Sequence, residues 1–548
     1  MGILPETKTV RDLSEFEKQL NHGYRRDMVA LFILLALAGS VALTFTHRYG
    51  PWVDAGIVEQ IAAARNFAWG NGLIVPTADG VGLPYGLHPP LYLLFLSLLF
   101  WLGLDIYWVV SAINVVVFGG ALFLLSWGLW RSTDSLLMAL GITIMFAVSP
   151  ELMQSFDSAA SGGVLILFMV ANLVCLVLYF QNENRRPFLL ALVMAALAFL
   201  TDFIGGACII AGAIVILIFS EKSVKRRLQF AGIYILGAAA PLILWQIVHL
   251  PRLPRAGTRV MAITMTFGDA ARMYLSNLVT TLLQWLPGEP RWLSAWLQTR
   301  AAFSIIVMLS LALFGVVVWR SVHHKDTAHR RWMILLTSCL AFAAGAVVLL
   351  FAESFLQDRT VPVLTPTRLA PLYPFLMIFL FGSMLALIAS YNLPMEVLAV
   401  PVLIGGLYIL ANLRPGFSYV QSRYAHGSGY MTPQWRSSQL LERVNTTSAL
   451  RTYFSNDPSG VLFYTNYAPY DIRDFDYGKP FLEQDDYFTA NFLDWNGTLL
   501  LFQPAYFDAE EVEQEPIDFS VFTEGLQLVY RGADGEMYTP IYPEEGEE

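Results

Sequence analysis

The sequence predicts a polytopic α-helical membrane protein with a small α/β domain at its C-terminal end. Three observations carry that prediction. Of 548 residues, 56% are hydrophobic and only 14% are charged, against about 25% charged in ordinary soluble domains. The mean hydropathy of +0.53 excludes disorder, and a soluble core of this length could not hide so much apolar surface. The charge is also divided. Residues 451–548 hold 21 acidic and 4 basic side chains, whereas residues 1–450 hold 22 acidic and 30 basic. A mildly basic membrane part is therefore followed by a strongly acidic polar part. An acidic tail speaks against nucleic-acid binding, which needs basic stripes.

Residues 1–26 are polar and charged, and the apolar run after them lacks a small-residue cleavage site. That run reads as a signal anchor that is retained. Spans are expected at 27–46, 106–130, 135–150, 161–181, 187–201, 203–219, 229–250, 301–319, 332–351, 369–389 and 394–412. This makes about eleven, within a range of 11–13. The run 89–103 is short and opens on two prolines, and orientation decides its place. If it does not span, the connections after Trp130, Gln181, Ser220, Arg320 and Ser390 share the side of the N-terminus. That side then collects the basic residues from Lys8 to Arg331, as the positive-inside rule requires. If it did span, every later loop would flip. So 89–103 is expected at the surface, and an odd span count places the acidic tail outside.

The expected organisation is a cytoplasmic segment 1–26, a transmembrane domain 27–412 and an extracytoplasmic α/β domain 413–548. The transmembrane domain carries a first outer loop 47–105 and a long outer loop 251–300. In the long loop, MYLSNLVTTLLQWL and RWLSAWLQ read as amphipathic stretches whose Trp residues suit the interface. In the tail, 437–453 has helical spacing. VLFYTN, TLLLFQP, LQLVYRG and EMYTPI read as strands, with a hairpin marked by Asp534-Gly535. Cys175, Cys208 and Cys339 lie in apolar runs and read as packing residues. The scarcity of cysteines and the short loops point to a bacterial inner membrane.

The first outer loop is where chemistry is expected. Ile57, Val58, Ile61, Ala62, Ala68 and Trp69 recur at helical spacing, so 54–70 reads as an amphipathic surface helix, with Phe67 off the stripe. Asp54 opens it. A carboxylate so close to the hydrocarbon edge is costly unless it caps the helix or is used. The loop ends in His88-Pro89-Pro90-Leu91, a stiff entry into an apolar surface helix. His88 alone reads as an interfacial hydrogen-bonding residue.

Together these pieces resemble the C-type (GT-C) glycosyltransferase superfamily, and within it the protein O-mannosyltransferase and lipid A aminoarabinose transferase group. The matching residues are Asp54, the stretch AAARNFAWGNG at 62–72, HPPL at 88–91 and TRLAPLYPF at 367–375. The resemblance implies an inverting transfer from a polyprenyl-phosphate sugar to a lipid, glycan or protein acceptor on the outer face. It gives Asp54 the role of general base and makes Arg368 a partner for the phosphate, beside the alternative that Arg368 is a snorkelling anchor. Tyr373, His88 and Glu59 fall on its substrate-binding side. Two departures stand out. The family's Asp-Glu pair is here Asp54-Ala55, with Glu59 further along the helix. The acidic residue expected at the entry of the span after the second outer loop is replaced by Asp157, about one turn early, which either takes the second acidic role or caps a helix. No clustered metal-ligand spacing occurs, so no metal is expected at the reaction centre. A hard cation such as Mg²⁺ on Asp54 and Asp157 is the open alternative. A catalytically silent binding partner and a lipid-linked sugar flippase are the competing functions. The flippase is disfavoured because the spans are nearly free of charge.

Overall fold

The computed structural model describes residues 25–80, 82–85, 89–182, 184–249, 267–285, 300–324, 327–357, 364–391, 395–446, 452–507 and 517–541. In chain order the helices are α1 (Arg25–Thr46), α2 (Ala55–Ala68), α3 (Pro90–Trp101), α4 (Ile106–Thr133), α5 (Leu136–Val148), α6 (Pro150–Asp157), α7 (Gly162–Asn182), α8 (Arg185–Thr201), α9 (Gly206–Phe219), α10 (Val224–His249), α11 (Phe267–Leu283), α12 (Arg300–His324), α13 (Thr327–Gln357), α14 (Tyr373–Tyr391), α15 (Met395–His426), α16 (Gln439–Thr446), α17 (Pro458–Thr465) and α18 (Asp486–Asp494). A helix lies on each of the eleven apolar stretches. Among the described residues seven helices are long and apolar enough to cross a membrane. They become eight if α5 and α6, bent by 67° at their junction, count as one span. α3 has 12 residues. At 1.5 Å per residue it covers about 18 Å, well short of a bilayer core of ~30 Å.

Outward-facing leucines and valines show why these helices need lipid. Leu34 is 63% exposed and Leu410 66%, a cost in water that hydrocarbon removes. The chain is an integral membrane protein. The stretch 135–150, expected as one helix, instead breaks at Ser149-Pro150. Ser149 is extended and its hydroxyl caps α6, while Pro150 occupies the first turn, where its missing N–H costs nothing.

The residues divide into two compact units. One comprises 1–46, 88–92 and 110–421, and the other 47–87, 93–109 and 422–548. The first is held by close helix packing. A Cβ on Gly128 would lie 2.2 Å from Val174, and one on Gly212 2.3 Å from Tyr234, the small-residue contact by which membrane helices approach. Phe156 of α6 packs on Phe118 at 4.9 Å and on Phe146 at 5.9 Å. α15 continues past residue 412, where the sequence places the end of the last span, to His426. Its two internal prolines, Pro401 and Pro415, do not end it.

The second unit contains two sheets. β1 (Ile74–Val75) and β2 (Leu83–Pro84) form a short antiparallel hairpin in the first loop. The other five strands are β3 (Tyr453–Ser455), β4 (Tyr470–Asp471), β5 (Thr498–Phe502), β6 (Leu526–Arg531) and β7 (Gly535–Pro540), in the order β4-β3-β5-β7-β6. β3 runs parallel to β4 and β5, and β7 antiparallel to β5 and β6. Every residue of β5 is buried, as in a strand covered on both faces. β6 is an edge strand with an irregular register between Leu528 and Tyr530. Of the four expected strands, VLFYTN is instead most of helix α17. Asp457 caps it by accepting from Gly460 N, Pro458 opens it, and Asn466 closes it at φ 60°. A short apolar run does not distinguish strand from buried helix; the Asp-Pro start and the left-handed Asn stop decide it. The helix expected over 437–453 is α16. Residues 447–451 lie outside the described residues, and Tyr453 already belongs to β3.

The Asp534-Gly535 hairpin forms as expected, and Gly532 N donates to Gly535 O. Asp534, 3% exposed, accepts from Ser438 Oγ (2.8 Å), Leu440 N (2.8 Å) and Tyr530 Oη (3.1 Å), tying the hairpin to α16. Asp534→Ala strands the Ser438 and Leu440 donors, while Tyr530 Oη keeps Gln439 Oε1, and is expected to cost about 2–4 kcal/mol. Hydrogen exchange over 439–446 should accelerate accordingly, and unchanged protection there would contradict the assignment.

Candidate functional site

In the unit that contains the first loop, Asp54 sits at the N-cap of α2 in an extended conformation. One carboxylate oxygen, Oδ1, accepts from Ile57 N at 2.9 Å. Among the described residues no hydrogen bond reaches Oδ2. Capping and use are therefore compatible, because a carboxylate has two oxygens. Ile57, Val58, Ile61 and Ala62 are buried as the stripe predicts, whereas Trp69 is 59% exposed, since α2 ends at Ala68.

The segment leading into Asp54 is held by residues from the far end of the chain. Val53 forms a parallel bridge with Gly429, and Tyr430 N donates to Val53 O at 3.0 Å. Gly429 has φ +52°, and a Cβ there would meet Val53 O at 2.1 Å. Gly429→Ala is expected to cost about 1–3 kcal/mol through strain and lost contact, read as faster hydrogen exchange at 53–58; wild-type exchange rates would refute it. Three arginines surround the same segment. Arg48 lies over the rings of Tyr49 and Tyr424, Arg423 lies 5.9 Å from the Trp52 ring, and Arg436 donates to Tyr49 O. Nothing in the sequence singles out these arginines. Arg423 and Arg436 lie more than 360 residues from Asp54, and only the fold brings them to 48–53.

Glu59 lines a separate cavity of about 390 Å³ with Asp79, Tyr470 and Arg473. Desolvation there pushes its carboxyl above the usual range, partly opposed by Arg473. Arg473 itself is paired with Asp471 through Nε and Nη2.

In the other unit, Asp157 is the last residue of α6 and is 1% exposed. It accepts from Thr46 Oγ1 at 2.7 Å and Tyr419 Oη at 2.8 Å, one on each oxygen. Because α7 begins only at Gly162, Asp157 is not at its capping position. The turn that follows is fixed by Asn114 Nδ2 donating to Ser158 O (2.8 Å) and Tyr92 Oη donating to Ala159 O (2.9 Å). Asp157 thus anchors α1, α6 and α15 to one another.

Arg368 is exposed on a one-turn helix, Pro366–Leu369, capped by Thr365, and this turn packs against α6. Glu151, in the first turn of α6, accepts from Ser149 Oγ at 2.8 Å. Tyr373 is 1% exposed; it shares a hydrogen bond with Tyr408, which in turn donates to Trp285 O. Its ring therefore stiffens the start of α14. His88 lies outside the described residues, as does RWLSAWLQ. Among the described residues no three His, Cys, Asp or Glu side chains group so as to hold a metal ion.

No protein-family profile and no curated protein sequence matches the chain. Solved structures do. ArnT from Cupriavidus metallidurans bound to undecaprenyl phosphate matches at 12% identity and a TM-score of 0.51, over 94% of this chain and 98% of that one. The apo state of the same protein matches at 13% and 0.48, over 95% and 99%. The archaeal oligosaccharyltransferase AglB from Archaeoglobus fulgidus, in complex with an inhibitory peptide and a dolichol-phosphate, matches at 12% and 0.48, over 88% and 70%. At such identity the likeness to the ArnT structure is one of fold.

Proposed function

We propose that this protein is a membrane glycosyltransferase that moves a sugar from a polyprenyl-phosphate donor to an acceptor hydroxyl on the extracytoplasmic face. The observation that supports this most is the Asp54 carboxylate. One oxygen holds the helix, the other carries no hydrogen bond among the described residues, and the preceding segment is fixed by a bridge and three arginines. The ArnT structure, whose fold this chain shares, contains undecaprenyl phosphate.

In this reading Asp54 Oδ2 takes the proton of the acceptor hydroxyl as its oxygen bonds to the anomeric carbon. The bond from that carbon to the phosphate oxygen breaks, its electron pair leaves with the polyprenyl phosphate, and the configuration inverts. A positioned base contributes about 10²–10⁴-fold. Arg368 takes the role of phosphate partner, and a guanidinium can meet phosphate through two parallel N–H bonds. Asp157 has both oxygens engaged, so its part is to position the elements that carry other groups.

The test is transfer of labelled sugar from a polyprenyl-phosphate donor by the purified full chain. Arg368→Gln is expected to weaken donor binding about tenfold or more, the scale of one lost charged hydrogen bond. Donor binding unchanged in that variant would remove Arg368 from the reading. Tight donor binding with no transfer to any acceptor would favour a silent binding protein, and donor translocation in vesicles a flippase.

A further inference from the structure

Where α9 ends and α10 begins, a cavity of about 580 Å³ lies wholly within the helical unit, inside the range of roughly 300–1,000 Å³ usual for small-molecule sites. None of the candidate site residues lines it. Tyr179 and Phe180, near the end of α7 and both buried, give it an apolar wall. Its polar groups come from the short connection after α9 and from the first turn of α10.

Three features of this cavity suit an anion. The first is a buried hydroxyl. Ser220 lines the cavity and is 5% exposed. Among the described residues its hydroxyl makes no hydrogen bond, and its oxygen is open to solvent rather than sealed inside the protein. The second is an open helix start. The first backbone bond of α10 runs from Arg227 N to Ser223 O at 2.9 Å, and among the described residues no acceptor meets the N–H groups of Val224, Lys225 or Arg226. Such a start carries about half a positive charge. The third is a surplus of cations. Lys222 Nζ is held 3.5 Å from the Phe230 ring centroid, and Arg226 makes no ion pair or hydrogen bond among the described residues. The negative groups nearby are already engaged. Glu221, which also lines the cavity, pairs with Arg330. The last carbonyls of α9 accept from arginines, Leu217 O from Arg227 at 3.1 Å and Phe219 O from Arg330 at 3.0 Å.

A phosphate matches these groups, because its oxygens accept from backbone N–H, hydroxyl and guanidinium donors at once. Its source is a lipid. Leu217 and Ile218 at the end of α9, and Val224 and Leu228 at the start of α10, are exposed, Val224 by 71%. Free phosphate leaves these side chains uncovered, whereas the acyl chains of a phospholipid lie along them. The headgroup carries a net negative charge, since a zwitterionic one brings its own cation against Lys222 and Arg226. Basic pockets between membrane helices take anionic headgroups in this way. We propose that this cavity binds the phosphate of an anionic phospholipid of the phosphatidylglycerol kind, with its acyl chains on the apolar ends of α9 and α10. The proposal does not depend on the glycosyltransferase reading.

The test titrates the full chain in detergent micelles with phosphatidylglycerol, phosphatidylcholine or inorganic phosphate, and counts bound molecules by native mass spectrometry. Phosphatidylglycerol is expected to bind about tenfold more tightly than phosphatidylcholine, the scale of one charged hydrogen bond. Arg226→Gln should weaken it about fivefold, as the loss of one cation at a membrane surface implies. Ser220→Ala should weaken it about as much, the scale of one neutral hydrogen bond, and should leave the melting temperature without lipid unchanged, because the hydroxyl holds nothing in the protein. Lys225→Gln removes the same charge one residue away, outside the lining, and should change the affinity less than twofold. Equal losses in Lys225→Gln and Arg226→Gln would mean a diffuse attraction to the basic surface and would overturn the proposal. So would equal binding of the two lipids, native affinity in Ser220→Ala, or inorganic phosphate binding as tightly as phosphatidylglycerol, which would make the occupant a free anion. If Ser220→Ala fails to fold, the lipid ranking and the contrast between Arg226 and Lys225 still decide.

Discussion

Asp54→Asn is expected to lower sugar transfer by about 10²–10⁴-fold with the melting temperature within a degree or two of the native protein. The two halves of that expectation separate the roles of the residue. Asparagine is as good an N-cap as aspartate, so the bond from Ile57 N to the side-chain oxygen survives. What disappears is the basic oxygen. Asp54→Ala removes both and should add about 1 kcal/mol of instability to the same kinetic loss. Labelled-sugar transfer measured beside thermal unfolding distinguishes the outcomes. Equal transfer by native protein and Asp54→Asn would leave Asp54 a cap only, and the catalytic reading would need another base.

Asp157→Ala is expected to destabilise the helical unit heavily. The carboxylate is 1% exposed and accepts from hydroxyls on α1 and α15 while sitting at the end of α6. Its removal takes an acceptor from the Tyr419 hydroxyl and opens a small void beside Phe156, so about 2–4 kcal/mol is expected. Thr46 loses less, since its hydroxyl also reaches Leu43 O. Asp157→Asn retains an acceptor oxygen and should cost only about 1 kcal/mol. Because Asp157 acts through the elements it joins, Asp157→Asn should keep transfer within about tenfold of the native rate. A loss as deep as that of Asp54→Asn, in a protein with native melting behaviour, would instead make Asp157 a reacting acid.

Composition and periodicity make the membrane part legible, because a helix in lipid satisfies its backbone internally and must show apolar surface. The apolar stripe of α2 and the hairpin at Asp534-Gly535 are readable for the same local reasons. The break at Ser149-Pro150 escapes a hydropathy reading, which averages over it, although the Ser-Pro pair is a helix-start signal. α17 reads as a strand because its apolar content outweighs the caps on either side. Of the site, Asp54 is legible as a cap or a base; the structure shows the cap, made by one carboxylate oxygen. Tyr373 is expected on the substrate side, yet its hydroxyl is enclosed with Tyr408, a pairing across 35 residues that no local pattern reports. Gly429, Arg423 and Arg436 are invisible for the same reason. Their meaning depends on Val53 and its neighbours, which they meet only in the folded chain.

The irregular step in β6 has a consequence for how copies of this protein behave side by side. β6 closes one border of the five-stranded sheet, with Leu528 and Val529 43% and 46% exposed. A straight, apolar border of that kind is a template on which a neighbouring chain can lay its own backbone. Val529 has no opposite number on β7, so the run of outward N–H and C=O groups loses its even spacing there. Crowded in the plane of a bilayer, the molecules are thereby discouraged from stitching their sheets together into fibrous assemblies.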